Sequence, residues 1–192
     1  MNNIKQRITN LSLTAHIILA IVTFIVFRVA NMILDVSYAR SQFPVPFQVG
    51  QTAFQGELIK SYYQTMIDAG TLSIYWQTQL IDYGFIMSLF AVGLVLPLLL
   101  RRAVRPNSRP FHIISWAATL IPLGALFDAT ENLISFAMLA QPLTFPNWIA
   151  PIYSTFAVLK FAAIGTGYLC VAIGLIWALL AQGWQQFSVR IA

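Results

Sequence analysis

The stretch Ala117–Leu139, AATLIPLGALFDATENLISFAML, is long and apolar enough to cross a bilayer, yet it carries Asp128, Glu131 and Asn132. A charged side chain at the centre of a membrane costs about 2.5–3.5 kcal/mol on insertion scales. Offsets of three and four residues place Asp128, Glu131 and Asn132 on one face of a helix. Such a cluster has to face other protein or trapped water, and it marks a candidate functional site.

The rest of the chain explains why this stretch is read as a span. Hydrophobic residues make up 58% of the 192 residues and charged residues only 9%, against roughly 25% charged in an ordinary soluble domain. A soluble core has no room for so much apolar surface, so the bilayer is the expected solvent. Long uninterrupted runs favour helices over a closed barrel. The length suits a single integral membrane domain over residues 1–192.

The net charge of +5 does not point to nucleic acid. Arg101, Arg102, Arg105 and Arg109 crowd one short loop, and Lys5 and Arg7 precede the first apolar run. That is the distribution of the positive-inside rule, with no interleaved basic and aromatic surface. Cys170 is alone, so an internal disulfide is impossible. His16 and His112 have no cysteine or carboxylate at metal-ligand spacing, so no metal site and no cofactor is expected.

Hydropathy predicts four spans, at about residues 11–34, 74–100, 111–139 and 149–182. Gly70-Thr71 offers a break and a cap before the second, and Pro110 opens the third at a favoured first-turn position. Lys5, Arg7, the loop arginines and Arg190 then fall on one side, taken as cytoplasmic. The expectation is a multi-pass protein of the inner (plasma) membrane with both termini cytoplasmic. The first apolar run is too long for a cleaved signal and is read as a retained helix.

Residues 35–73 form the outer segment, irregular up to Val49. From Gln51 to Ala69 the apolar positions Phe54, Leu58, Ile59, Tyr62, Tyr63 and Met66 recur at helical spacing, which predicts an amphipathic helix. Trp76, Trp148, Tyr75 and Tyr153 lie near the outer boundary, as an aromatic belt requires. The fold class is therefore all-α: a four-transmembrane-helix bundle with an additional outer amphipathic helix.

A rise of about 1.5 Å per residue sets the depth of each polar group. Asp128 stands about 27 Å along its helix from Pro110, and Lys160 about 16 Å from Ile149. Arg28, Asn31 and Asp35 share a face in the outer third of the first span, and Asp82 lies in the first turns of the second. Asp82, Asp128, Glu131, Arg28 and Lys160 thus converge on the outer half. Asp128 and Glu131 are the candidate acid/base pair, with Asn132, Asp82, Arg28, Asn31, Lys160 and Tyr75 as ligand-binding candidates. The same network has a plainer reading, as polar glue that fixes the register of a small bundle.

Ala163, Gly167, Gly174 and Ala178 form a small-residue stripe on the fourth span, suited to close packing within the chain, in a homodimer or against a membrane-complex partner. Pro122 and Gly124, about one turn before Asp128, would kink the third.

The run Gly70-Thr71-Leu72-Ser73-Ile74-Tyr75, then Asp82, then Asp128-Ala129-Thr130-Glu131-Asn132, resembles a group of small bacterial four-helix membrane proteins. They carry a glycine, tyrosine and aspartate before and into helix two and Asp-x-x-Glu-Asn in helix three. Their Phe-Pro pair after the aspartate is replaced here by Gly84-Phe85. The resemblance implies the architecture and the site, and no particular reaction. In architecture alone the chain is also similar to the sterol isomerase and sigma-2 receptor superfamily, whose helical bundles place acids in an aromatic cavity.

The expected function is binding of a membrane lipid or other apolar small molecule, with acid/base chemistry at Asp128 and Glu131 and a lid around Glu57 to Asp68. Two rivals stand beside it. A proton- or cation-coupled carrier requires more polar residues toward the cytoplasmic side than His16, Thr14, Ser115 and Thr119. An accessory subunit of a membrane complex would use the carboxylates structurally.

Overall fold

The computed structural model describes the backbone of residues 2–191 and the side chains of residues 3–181. The side chain of Arg190 and the far end of the fourth predicted span at Gln182 therefore lie outside the described side chains. Among the described residues there are helices and no strand. In chain order these are α1 (Asn2–Thr9), α2 (Leu13–Ser41), α3 (Phe47–Gln51), α4 (Gly56–Asp68), α5 (Leu72–Leu100), α6 (Arg109–Leu139) and α7 (Ile149–Ile191). A single 3₁₀ turn, Arg101–Ala103, follows α5. Four of the helices (α2, α5, α6 and α7) are long and apolar enough to cross a membrane.

Local chemistry sets the ends of these helices. The Ser12 hydroxyl accepts from the Ala15 amide at 3.2 Å and starts α2, and Ser108 accepts from Phe111 at 3.4 Å and starts α6. Gly70 takes the left-handed conformation, φ 69°, that ends α4. The Thr71 amide then donates back to the Met66 carbonyl at 2.8 Å, closing a Schellman turn.

The first predicted boundary is corrected by a full two turns. Residues 35–41 are helical and belong to α2, which runs on to Ser41 and stops at Gln42 in the left-handed region, φ 53°. Tertiary bonds extend it: Ser37 and Thr78 hydroxyls meet at 2.7 Å, and the Thr71 hydroxyl donates to the Ser41 carbonyl at 2.6 Å. Of the outer amphipathic helix expected over residues 51–69, residues 56–68 form α4 and residues 52–55 are not helical, while the short helix α3 begins in the stretch expected to be irregular. Ile59, Tyr63 and Met66 face inward from α4, while Glu57 binds Lys60 and Asn147 at its surface.

The long helices stand in a curved row, α2 against α5, α5 against α6, and α6 against α7. The inner pair supplies the core. On α2 almost every large apolar side chain, Ile18, Ile21, Val22, Ile25 and Val29 among them, is exposed. A continuous apolar face of that kind marks an interaction surface.

At the loop end, the arginines tie α1 down. Arg101 donates to the Thr9 hydroxyl at 2.8 Å, Arg102 to the carbonyls of Thr9 and Leu11 at 2.8 and 2.6 Å, and Lys5 to Thr119 at 2.6 Å. His16 is fully buried near this end, with Nε2 donating to the Val95 carbonyl at 3.2 Å. His112 is exposed.

The aromatic belt needs correcting. Trp76 and Trp148 are exposed as a belt requires, but Tyr75 and Tyr153 are 2% and 3% exposed. Both tyrosines belong to a core that α4 closes, with Ile59, Tyr63, Met66, Met138 and Phe145.

The small-residue stripe is taken up inside the chain. A Cβ on Gly167 would sit 2.5 Å from Ile121 Cγ1, and one on Gly174 would sit 2.4 Å from Ile114 Cγ1. Ala163 and Ala178 are buried as well. The stripe is thus packed against α6 within the chain at Gly167 and Gly174. The reason is that α6 brings its own β-branched ridge to the stripe.

Candidate functional site

The polar cluster lies between α5, α6 and α7, at the end where α3 and α4 pack. Glu131 and Asn132 are fully buried, and Asp128, Lys160 and Asp82 are 3%, 4% and 7% exposed. Lys160 is the hub. Its Nζ donates to Asp128 Oδ1 at 2.8 Å and to Gln51 Oε1 at 3.1 Å, and it pairs with Glu131 Oε2. Two of the three ammonium protons are thus committed to hydrogen bonds, and the Glu131 carboxylate lies against the same nitrogen as an ion pair while neither of its oxygens has a hydrogen-bond partner. Beside it Asn132 Nδ2 donates to Asp82 Oδ2 at 2.9 Å.

Backbone proximity makes the hub possible. A Cβ on Gly124 would lie 2.5 Å from Ile164 Cγ1 and 3.1 Å from the Lys160 carbonyl, so only glycine lets α6 and α7 approach this closely. Gly124 stands one turn before Asp128, and the close approach puts Lys160 between Asp128 and Glu131. The role expected of Gly124 as part of a kink is here a packing role.

A cleft of about 200 Å³ opens on this cluster. Asp82, Gln79, Asp128 and Lys160 form its polar floor, and Asn31 and Asp35 stand at its α2 side. Its walls are aromatic: Phe27 and Tyr38 from α2, Phe85 from α5, and Phe161 and Tyr168 from α7. The short helix α3 contributes Phe47 and Gln51 and packs on α7. The Phe54 amide donates to Ser154 Oγ of α7 at 3.0 Å and anchors the chain just beyond α3.

Of the residues expected from sequence, Asp82, Asp128, Glu131, Asn132 and Lys160 come together, and Asn31 reaches the cleft. Two do not join. Arg28 is exposed and lines an outer hollow of α2 with Met32 and Val36; that hollow shares Asn31 and Asp35 with the cleft, but Arg28 itself does not line the cleft. Tyr75 lies behind the cleft, stacked on Phe43 at a centroid distance of 5.1 Å and edge-on to Tyr38. The lid is also reassigned: residues Glu57 to Asp68 close the aromatic core, and the covering element is α3.

Gln51, Gln79 and Tyr38 were not anticipated. Gln79 had a signal, since it stands three residues before Asp82 and shares its face. Gln51 had none, because its bond to Lys160 spans 109 positions of sequence.

The charge does not balance. Without Arg28, three carboxyl groups, Asp82, Asp128 and Glu131, face a single ammonium, Lys160. Buried charges need partners, so protons or a bound cation make up the difference. Several buried polar atoms still have no partner, among them Gln79 Oε1, Asn132 Oδ1 and Ser135 Oγ. No group of three or more metal-ligating side chains is placed to hold a metal among the described residues.

The fold and site define a helical bundle with four helices able to cross a membrane and a buried acidic cleft between them. Compared with protein families, with curated proteins and with solved structures, the chain finds no match.

Proposed function

We propose that this is a multi-pass protein of the inner membrane, with both termini in the cytoplasm, whose cleft binds a membrane lipid or other apolar small molecule. Asp128 is the acid/base group on the cleft floor, with Glu131 behind it across Lys160, and Asp82, held by Asn132, orients the bound molecule. The observation that carries this reading is the cleft itself. It sets Asp82, Asp128 and Lys160 on the floor of a largely aromatic pocket, inside a bundle whose outer face is apolar. Sites for small molecules combine these elements, apolar walls with a few convergent polar groups. The cluster of Lys5, Arg7, Arg101, Arg102, Arg105 and Arg109 at the opposite end supports the orientation.

The carrier reading is less well supported. Toward the arginine end the next cavity is lined by Phe24, Val92, Leu96, Pro97 and Leu100, with no ionisable side chain except Tyr168 shared with the cleft. Of the polar groups beyond it, Thr119 accepts from Lys5 and His16 Nε2 donates to the Val95 carbonyl, while His16 Nδ1 is buried without a partner. The apolar lining between the cleft and these groups is what weighs against a solute path.

The test is Asp128→Asn and Glu131→Gln in the purified protein, assayed for retention of co-purifying lipid and for thermal stability. Binding reads on loss of lipid by the variants at temperatures where they remain folded. If both variants keep their lipid and only melt earlier, the carboxylates are structural and the proposal fails.

A further inference from the structure

The polar cleft does not end at its floor. A second, apolar cavity of about 120 Å³ lies along α2, α5 and α7, and it shares Phe27 and Tyr168 with the cleft. Leu96, Ile121 and Val171 line it, and no carboxylate does. The two spaces adjoin at Phe27 and Tyr168, one carrying the acidic groups and the other lined by apolar side chains apart from Tyr168. Because α2 packs along α5 and α7 along α6, both spaces lie on the seam between the two outermost helices of the row.

Three observations describe the head. Asp128 and Glu131 pair with Lys160, and Asp82, bonded to Asn132, adds a third carboxyl beside them. The Gln79 side chain lines the cleft, is 3% exposed, and has an acceptor oxygen without a donor. Aromatic faces from Phe27, Tyr38 and Phe85 border the same space. Excess negative charge, a waiting acceptor and π faces all suit a group that is positively charged and carries N–H donors.

We propose that the two spaces join as one channel that binds a single-chain amphiphile with an organic ammonium head, seated between Asp82, Asp128 and Gln79, and with its chain laid along the α2–α7 seam. This rests on the reading of the cleft as a small-molecule site and names the class of ligand. The apolar cavity accounts for a tail, and the charge imbalance accounts for a cationic head rather than a neutral or anionic one.

The experiment uses the full chain in a nonionic detergent and measures binding of dodecylammonium, dodecanol, dodecyl sulfate and butylammonium by native mass spectrometry. Dodecylammonium is expected to bind at one copy per chain, more tightly than the alcohol or the sulfate. Asp82→Asn is expected to weaken dodecylammonium about tenfold and to leave dodecanol unchanged. Val171→Trp, which fills the tail space without touching the floor, is expected to weaken dodecylammonium and not butylammonium. This second variant decides the matter if Asp82→Asn does not fold. If dodecanol binds as tightly as dodecylammonium, and neither variant separates them, the ammonium head is wrong while small-molecule binding stands. If no probe binds the unaltered protein, the amphiphile proposal is overturned, and the lipid-retention test of Asp128 and Glu131 judges the broader reading separately.

Discussion

Lys160 concentrates the energetics of this molecule in one side chain. It is the single ammonium among Asp82, Asp128 and Glu131, and all four groups are buried. Removing one member of a buried charge pair is strongly destabilising, about 3–5 kcal/mol, because the partner is left uncompensated. Lys160→Met is therefore expected to lower the midpoint of thermal unfolding far more than Asp128→Asn, which leaves Glu131 to balance the lysine. Combining Lys160→Met with Asp128→Asn and Glu131→Gln is expected to recover much of the loss. A double-mutant cycle on unfolding free energy checks this, and additive losses would count against a shared network. The sequence alone placed Asp128, Glu131 and Asn132 on one face, because helical periodicity needs only local spacing. It misplaced Arg28, since depth along a helix was read correctly but the direction of the side chain depends on how α2 is rotated against α5.

Elements act here through close approach and through capping contacts. Gly124 brings α6 against the backbone of α7 beside Lys160, with 3.1 Å between the site of an added Cβ and the Lys160 carbonyl. Gly124→Val is expected to destabilise the bundle by about 1–3 kcal/mol and to weaken ligand binding, read by thermal unfolding with and without ligand. At the other level of the fold, α4 is fastened by Glu57, whose Oε1 accepts from Asn147 Nδ2 at 2.8 Å and from Lys60 at 3.0 Å. The Asn147 bond first, and Lys60 second, hold the Glu57 carboxyl below its ordinary value of 4.5. A depressed folded-state value stabilises above the ordinary value and loses that effect as pH falls through the lower one. Melting curves from pH 6 down to about pH 3 are expected to converge for the unaltered protein and Glu57→Gln, with the small advantage of the carboxylate visible only at the higher end. A constant gap across that range would assign the contact no charge dependence. The late start of α4 at Gly56 was not legible, because the apolar positions of residues 51–69 fit one continuous helix. The chain between α3 and α4 instead bonds to α7, Phe54 to Ser154.

At the scale of the whole molecule the testable property is orientation. In a Cys170→Ala background, Asp68→Cys at the α4 end and Asn107→Cys in the arginine loop occupy opposite ends of the bundle. With an impermeant maleimide on intact cells, Asp68→Cys is expected to label directly and Asn107→Cys only after permeabilisation. The reverse pattern would invert the assigned topology.

Composition and the four apolar runs determined the class of fold, because a helix in lipid must satisfy its own backbone and so announces itself locally. Turn chemistry at Ser108 and Gly70 set the start of α6 and the end of α4. The three polar residues in Ala117–Leu139 already marked the site. Only the tertiary structure decided that Lys160, rather than Arg28, balances them, that α3 rather than α4 covers the cleft, and that the glycine stripe is spent inside the chain. Each of these depends on rotation about a helix axis or on contacts more than a hundred residues apart, and neither leaves a trace in local spacing.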